Sequence, residues 1–127
     1  MTVQLNHMIV PAKDARVAAT WLAEMLGLPE PIHWGPFWQV SVANGVDIDF
    51  DEEEPESTIR PLHLAFLISD DEFDGIYGRI QERGIVHYAD PMGRERNQIN
   101  HNDGGRGVYF PDPNGHWLEV ITRPYGG

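Results

Sequence analysis

"NGVDIDF", residues 44–50, and "NGHWLEV", residues 114–120, decide how this chain is to be read. Each opens on an Asn-Gly pair, the strongest short signal for a β-hairpin, and runs on as a strand. Asp49 and Glu119 hold the same place in the two runs. Working outward, "LNHMIV" (5–10) matches "PLHLAF" (61–66), which sets His7 on His63. The two halves thus repeat a histidine and a carboxylate as well as a turn, and such internal repetition fixes architecture before any single motif does.

The elements between these landmarks follow one order in both halves. "VQLNHMIV" (3–10) and "PLHLAFLIS" (61–69) read as strands. "AKDARVAATWLAEMLGLPEP" (12–31) reads as a helix with Val17, Ala18, Trp21, Leu22, Met25 and Leu26 at helical spacing, ended by Pro29 and Pro31. "DDEFDGIYGRIQERGI" (70–85) is its counterpart, with Phe73, Ile76, Tyr77 and Ile80 on one face. "FWQVSVANGVDIDF" (37–50) and "RGVYFPDPNGHWLEVIT" (106–122) are strand pairs around the Asn-Gly turns. Each half is β-α-β-β-β in outline. The prediction is one α+β domain over 1–127, with module one at 1–52, an acidic solvated linker at 53–60 and module two at 61–127.

Side chains alternate along a strand, so Asp47 shares a face with Asp49, and Trp117 with Glu119, while Val46, Ile48 and Phe50 take the other face. An apolar face under a helix and a carboxylate-bearing face opposite predict a curved, partly closed mixed sheet with helices outside and a pocket within.

Composition bounds the chemistry. At 127 residues, 41% of them hydrophobic, the chain has enough apolar matter for one core. Nine Lys and Arg against twenty Asp and Glu give a net charge of -11, which repels phosphate backbones and anionic lipid surfaces, so neither nucleic acid nor membrane is an expected partner. No cysteine is present, so any metal must be held by imidazole and carboxylate. "MTVQLNHMIV" lacks a basic flank followed by a long apolar run, and a cytoplasmic location is expected.

His7, His63 and Glu119, from three strands, match the two-His, one-carboxylate triad that holds non-haem Fe(II) and leaves coordination positions open. Mn(II), Zn(II) and Ni(II) are the alternatives. A single histidine in an apolar strand is usually a packed, hydrogen-bonded residue, but matching positions in a repeat favour the metal reading over packing. His33, His87 and His116 are assigned to packing. Asp49, at the fourth symmetry-related position, is expected to act as a general base beside the metal or to complete its coordination. Trp34, Phe37, Trp38 and Trp117 are candidate flat walls for an aromatic ligand.

Two such units ending in "DPNGHWLEV" resemble the vicinal oxygen chelate superfamily, which includes glyoxalase I, fosfomycin resistance enzymes, bleomycin resistance proteins and extradiol dioxygenases. "INHNDGGRGVYFPDPNGHWLE" (99–119) also resembles the extradiol dioxygenase signature, which implies that His101 and Tyr109 are active-site residues beside the metal and that Glu119 is a ligand. "NHMIVPAKD", "LGLPEPIHWGPFWQV" and "INHNDGGRGVYFPDPNGHWLEVITRPYG" resemble the ChaP-like branch, named for a chartreusin-pathway enzyme. That resemblance implies an Fe(II)- and dioxygen-dependent step that cleaves or rearranges a polycyclic aromatic polyketide in antibiotic biosynthesis. His101 or Asp49 would be its base, and His101 and Tyr109 its donors. Larger relatives carry four such units and this chain two, so a homodimer is expected to complete the pocket. The rival readings are a glyoxalase-type lyase with Asp49 as fourth ligand, a fosfomycin-type transferase using Arg94, Arg96 and Arg106, and a drug-sequestering protein without chemistry.

Overall fold

Each helix begins at a residue whose side chain answers the unpaired amides of the first turn. Asp14 accepts from the Val17 amide at the head of α1 (Ala15–Leu26). Ser69 and Glu72 form a reciprocal capping box at the head of α2 (Asp70–Glu82), where three acidic residues also suit the positive end of the helix dipole. α1 stops earlier than its prolines require. Gly27 takes the left-handed conformation (φ 69°) and turns the chain at once, a role that costs glycine nothing.

The computed structural model describes residues 2–125, in two compact units that divide between Arg60 and Pro61. The first unit orders its strands β1 (His7–Ala12), β4 (Asp47–Glu52), β3 (Phe37–Ser41), β2 (Ile32–Trp34), with β1 parallel to β4 and the remaining pairs antiparallel. α1 packs on β1, β3 and β4, and Val10, Ala12, Val40, Ile48 and Phe50 are buried beside Ala15, Ala18, Ala19, Leu22 and Met25. The buried stripe of α1 is thus rotated from the expected one. Small alanines allow close approach to the sheet, while Val17 is 56% exposed and Trp21 only half-buried.

The second unit orders β5 (His63–Leu67), β7 (Trp117–Ile121), β6 (Gly107–Pro111), with β5 parallel to β7 and β6 antiparallel to it. Leu64, Phe73, Ile76, Ile80, Val108, Phe110, Leu118 and Val120 are buried. The strand expected between α2 and β6 is reduced to isolated bridges of Tyr88 with Arg96 and Tyr109, and of Asn100 with Gly107. The intervening chain is bent by local polar bonds instead. The Asp90 carboxylate takes the amides of Arg94 and Glu95, and Asn97 and Asp103 adopt left-handed φ.

The two hairpins repeat closely. Val42 bonds Val46 across one turn and Asp112 bonds His116 across the other, with Gly45 and Gly115 at φ 80° and 87°. Neither sheet closes on itself, and β1 and β5, each beginning at its histidine, are edge strands. Pro11 agrees with that placement, since proline within a sheet is confined to edges. No helix among the described residues is long and apolar enough to cross a membrane.

Candidate metal centre

In the second unit the parallel register sets His63 opposite Trp117 and Ala65 opposite Glu119, so the imidazole and carboxylate project from one face. Glu119 is 1% exposed, whereas the His63 side chain is 49% exposed. His63 Nδ1 lies 2.8 Å from the Trp117 carbonyl. A carbonyl only accepts, so Nδ1 carries a proton and donates it, and whenever the ring is neutral Nε2 keeps its lone pair. That nitrogen faces Glu119 Oε1 at 3.2 Å. Two lone pairs at this distance repel unless a proton or a metal cation lies between them. Ligands about 2.1 Å from a shared ion sit roughly 3.0–3.4 Å apart between octahedral and tetrahedral geometry, so the donor pair fits a divalent metal.

The other carboxylate oxygen is also engaged. Oε2 accepts from the Tyr125 hydroxyl, whose own oxygen lies 2.9 Å from the Tyr109 hydroxyl. Tyr125 spends its one proton on Glu119, so Tyr109 is the donor to Tyr125. Burial, then the proximity and negative charge of Glu119, with a smaller contribution from Asp90, push the Tyr109 phenol well above its ordinary pKa. Tyr109 is therefore a protonated donor at neutral pH. Its ring stacks between His63 (6.1 Å, 24°) and Trp117 (6.1 Å, 18°), and Trp117 leans on Tyr88. The Trp117 indole N–H is buried without an acceptor among the described residues.

The first unit repeats this plan with different chemistry. β1 sets His7 opposite Asp47 and Ile9 opposite Asp49. The His7 Nδ1 proton goes to Asn6 Oδ1 at 2.8 Å, which again leaves Nε2 as the lone-pair nitrogen. Asp49 is 4% exposed and accepts from Gln39 Nε2 at 2.9 Å. Gln39 thus stands opposite Asp49 where Tyr109 stands opposite Glu119 in the matching antiparallel pair. A cavity of about 460 Å³ lies over this face, lined by His7, Trp34, Phe37, Gln39, Asp47 and Asp49 together with Asn6.

Trp34 and Phe37 stand in that cavity, but Trp38 does not. It points to the opposite face, stacked on His33 at 4.8 Å with the Arg16 guanidinium over it, as alternation after Phe37 requires. His101 is exposed ahead of a single 3-10 turn (Asn102–Gly104) and takes no part in the bonds that join His63, Glu119, Tyr109 and Tyr125. His87 is buried between Tyr77 and the Ile85 carbonyl, and the fully buried His116 accepts the Leu62 amide. Among the described residues, no three His, Asp or Glu side chains gather into a group able to hold a metal.

Sequence reasoning missed Gln39, Asn6 and Tyr125. Gln39 was within reach, because it precedes Asp49 by the interval that separates Tyr109 from Glu119. Tyr125 follows the last strand in "RPYGG", where no periodicity marks it.

Repeated modules that each present a histidine from an edge strand and a carboxylate from its parallel neighbour define the class of protein. The chain belongs to the Glyoxalase/Bleomycin resistance protein/Dioxygenase superfamily, which it matches over residues 4–120. Among solved structures it is similar to Oxidase ChaP-H1, at 54% identity and TM-score 0.96 over 99% of this chain and 100% of that one. Oxidase ChaP-H2 is similar at 54% identity and TM-score 0.96 over 100% of this chain and 98% of that one. The glutathione transferase FosA of Serratia marcescens is 24% identical over 94% of this chain and 81% of its own length.

Proposed function

We propose that this protein is a metal-dependent oxidase of the extradiol dioxygenase type, acting with dioxygen on a polycyclic aromatic polyketide in antibiotic biosynthesis. The observation that carries the metal reading is His63 Nε2 facing a buried Glu119 carboxylate oxygen at 3.2 Å while Nδ1 is held by the Trp117 carbonyl. The oxidative reading is supported by 54% identity, over nearly the whole chain, to proteins named oxidases.

His63 and Glu119 would hold the ion from one copy of the chain and His7 from a second copy. Two features support sharing. Both histidines begin edge strands, and Ile9 and Leu67 expose apolar side chains (51% and 62%) on those strands, on the histidine faces. Bound Fe(II), or Mn(II), Zn(II) or Ni(II) in its place, supplies Lewis acidity and, where redox-active, electron transfer between an aromatic diol and dioxygen.

The side chains supply the rest. Trp34 and Phe37 offer flat apolar walls to the ring system, and Trp117 offers a third. Asp49, oriented by the Gln39 amide, is the base for a substrate hydroxyl. Tyr109, kept protonated, can donate to developing negative charge only by turning its hydroxyl from Tyr125, and its ring, stacked on His63, excludes water from that face. His101, exposed at the start of its turn, is a further base or donor for the substrate.

A fosfomycin-type transferase needs cations gathered for a phosphonate, but Arg106 is committed to Asp70 and Asp74 and lies over the Phe73 ring. Anaerobic reconstitution with Fe(II), then oxygen-uptake assays with polycyclic aromatic diols, tests the proposal. Metal-dependent uptake supports it. Metal-dependent isomerisation or thiol addition without uptake overturns it.

A further inference from the structure

The segment after β7 is tied down before it reaches the site. Thr122 exchanges bonds with Arg106, its amide donating to the Arg106 carbonyl at 2.9 Å and its Oγ1 accepting the Arg106 amide at 2.8 Å. The next residue crosses Gly105 so closely that a Cβ there would lie 2.5 Å from Arg123 Cγ. Arg106 is itself clamped by Asp70 and Asp74 on α2. From this anchored base the chain returns to its own sheet, and Tyr125, 48% exposed, brings its hydroxyl to the buried Glu119 carboxylate.

Each carboxylate oxygen therefore has a different neighbour. Oε1 faces His63, and Oε2 is taken by a phenol from a strap that is fixed two residues upstream. We infer that Tyr125 is a positioning residue for the metal centre, holding Oε2 of Glu119 so that Oε1 alone is presented beside His63 Nε2. A carboxylate limited to one oxygen occupies one coordination position, and the others stay open for a bidentate substrate and dioxygen. Tyr125 acts through Glu119 and touches no reacting atom. Hydrogen-bonded partners of metal ligands fix the ligands' orientation and tune metal affinity in this way. The inference rests on the metal-centre reading above, and its test separates the two.

The test is Co(II) titration of the full chain as wild type, Tyr125→Phe, a form ending after Arg123, and His63→Ala. It is followed by the visible ligand-field band and by tryptophan quenching. Tyr125→Phe keeps the ring and loses only the hydroxyl, and the metal-free proteins are matched by thermal unfolding. Weaker Co(II) binding in Tyr125→Phe, by roughly 10-fold or more, is expected. A fainter band is expected with it, because a freed Oε2 raises the coordination number; the truncated form should match. If wild type binds Co(II) through His63 while Tyr125→Phe keeps the same affinity and band, Tyr125 has no positioning role. If wild type binds no Co(II), or His63→Ala binds as well as wild type, the metal centre itself is wrong.

Discussion

His63→Ala separates metal binding from folding more cleanly than other changes at the site. The side chain is 49% exposed and makes two polar contacts, one to the Trp117 carbonyl and one to Glu119. Solvent reaches the deleted atoms, so the metal-free protein should lose no more than about 1 kcal/mol, from the hydrogen bond to the Trp117 carbonyl. Unfolding should move down by no more than about 4 °C for a chain of this size. The metal response is larger. A ligand at about 100 times its dissociation constant stabilises the native state by about 2.7 kcal/mol, worth about 10 °C here. Differential scanning fluorimetry with and without Mn(II) should show that shift in wild type and none in His63→Ala. A variant that folds and keeps the full Mn(II) shift would remove His63 from the centre.

Other outcomes follow from the same contacts. Glu119→Gln keeps an oxygen for Tyr125 but not the charge, so metal-free stability should hold or rise slightly while the Mn(II) shift disappears; calorimetry checks both. Trp34→Ala, at a position 65% exposed, should change unfolding by no more than about 0.5 kcal/mol yet weaken binding of an aromatic diol, read by fluorescence titration. Phe73→Ala removes a fully buried ring and the platform under Arg106, and urea unfolding should show a loss of about 3–5 kcal/mol. Ser69→Ala should cost about 1 kcal/mol at neutral pH. The Ser69 amide, and after it the Ser69 hydroxyl, hold the Glu72 carboxyl below its ordinary pKa, so that stabilisation is present above the unfolded value and fades as pH falls through the folded one. The variant keeps the amide and loses the cap bond that does not titrate, so its deficit should narrow only in part in acid.

What was legible in the sequence was whatever obeyed a period or a repeat. The paired Asn-Gly turns, the alternation that buries Ile48, Phe50, Leu118 and Val120, and the matched placement of His7 with His63 and Asp49 with Glu119 each follow from local rules. Alternation also turns Trp38 away from Phe37, although the two are neighbours in sequence. The stripe of α1 differs from the one its large side chains predict because small alanines meet the sheet. The missing strand of the second unit and the reach of Tyr125 were not legible. Both depend on side-chain bonds between residues far apart in the chain or in irregular segments, such as Asn100 to Ala89 and Tyr125 to Glu119.

Sharing of one ion between two copies is tested most directly by mixing His7→Ala with His63→Ala, two variants that each lack a metal site alone. In a twofold dimer, the mixed species joins an intact His7 to an intact His63 and Glu119 at one of its two sites, so about a quarter of wild-type sites should return after subunit exchange. Metal content and oxygen uptake that rise together on mixing are the predicted result. Mixtures that exchange subunits and remain as metal-free as their parents would contradict it.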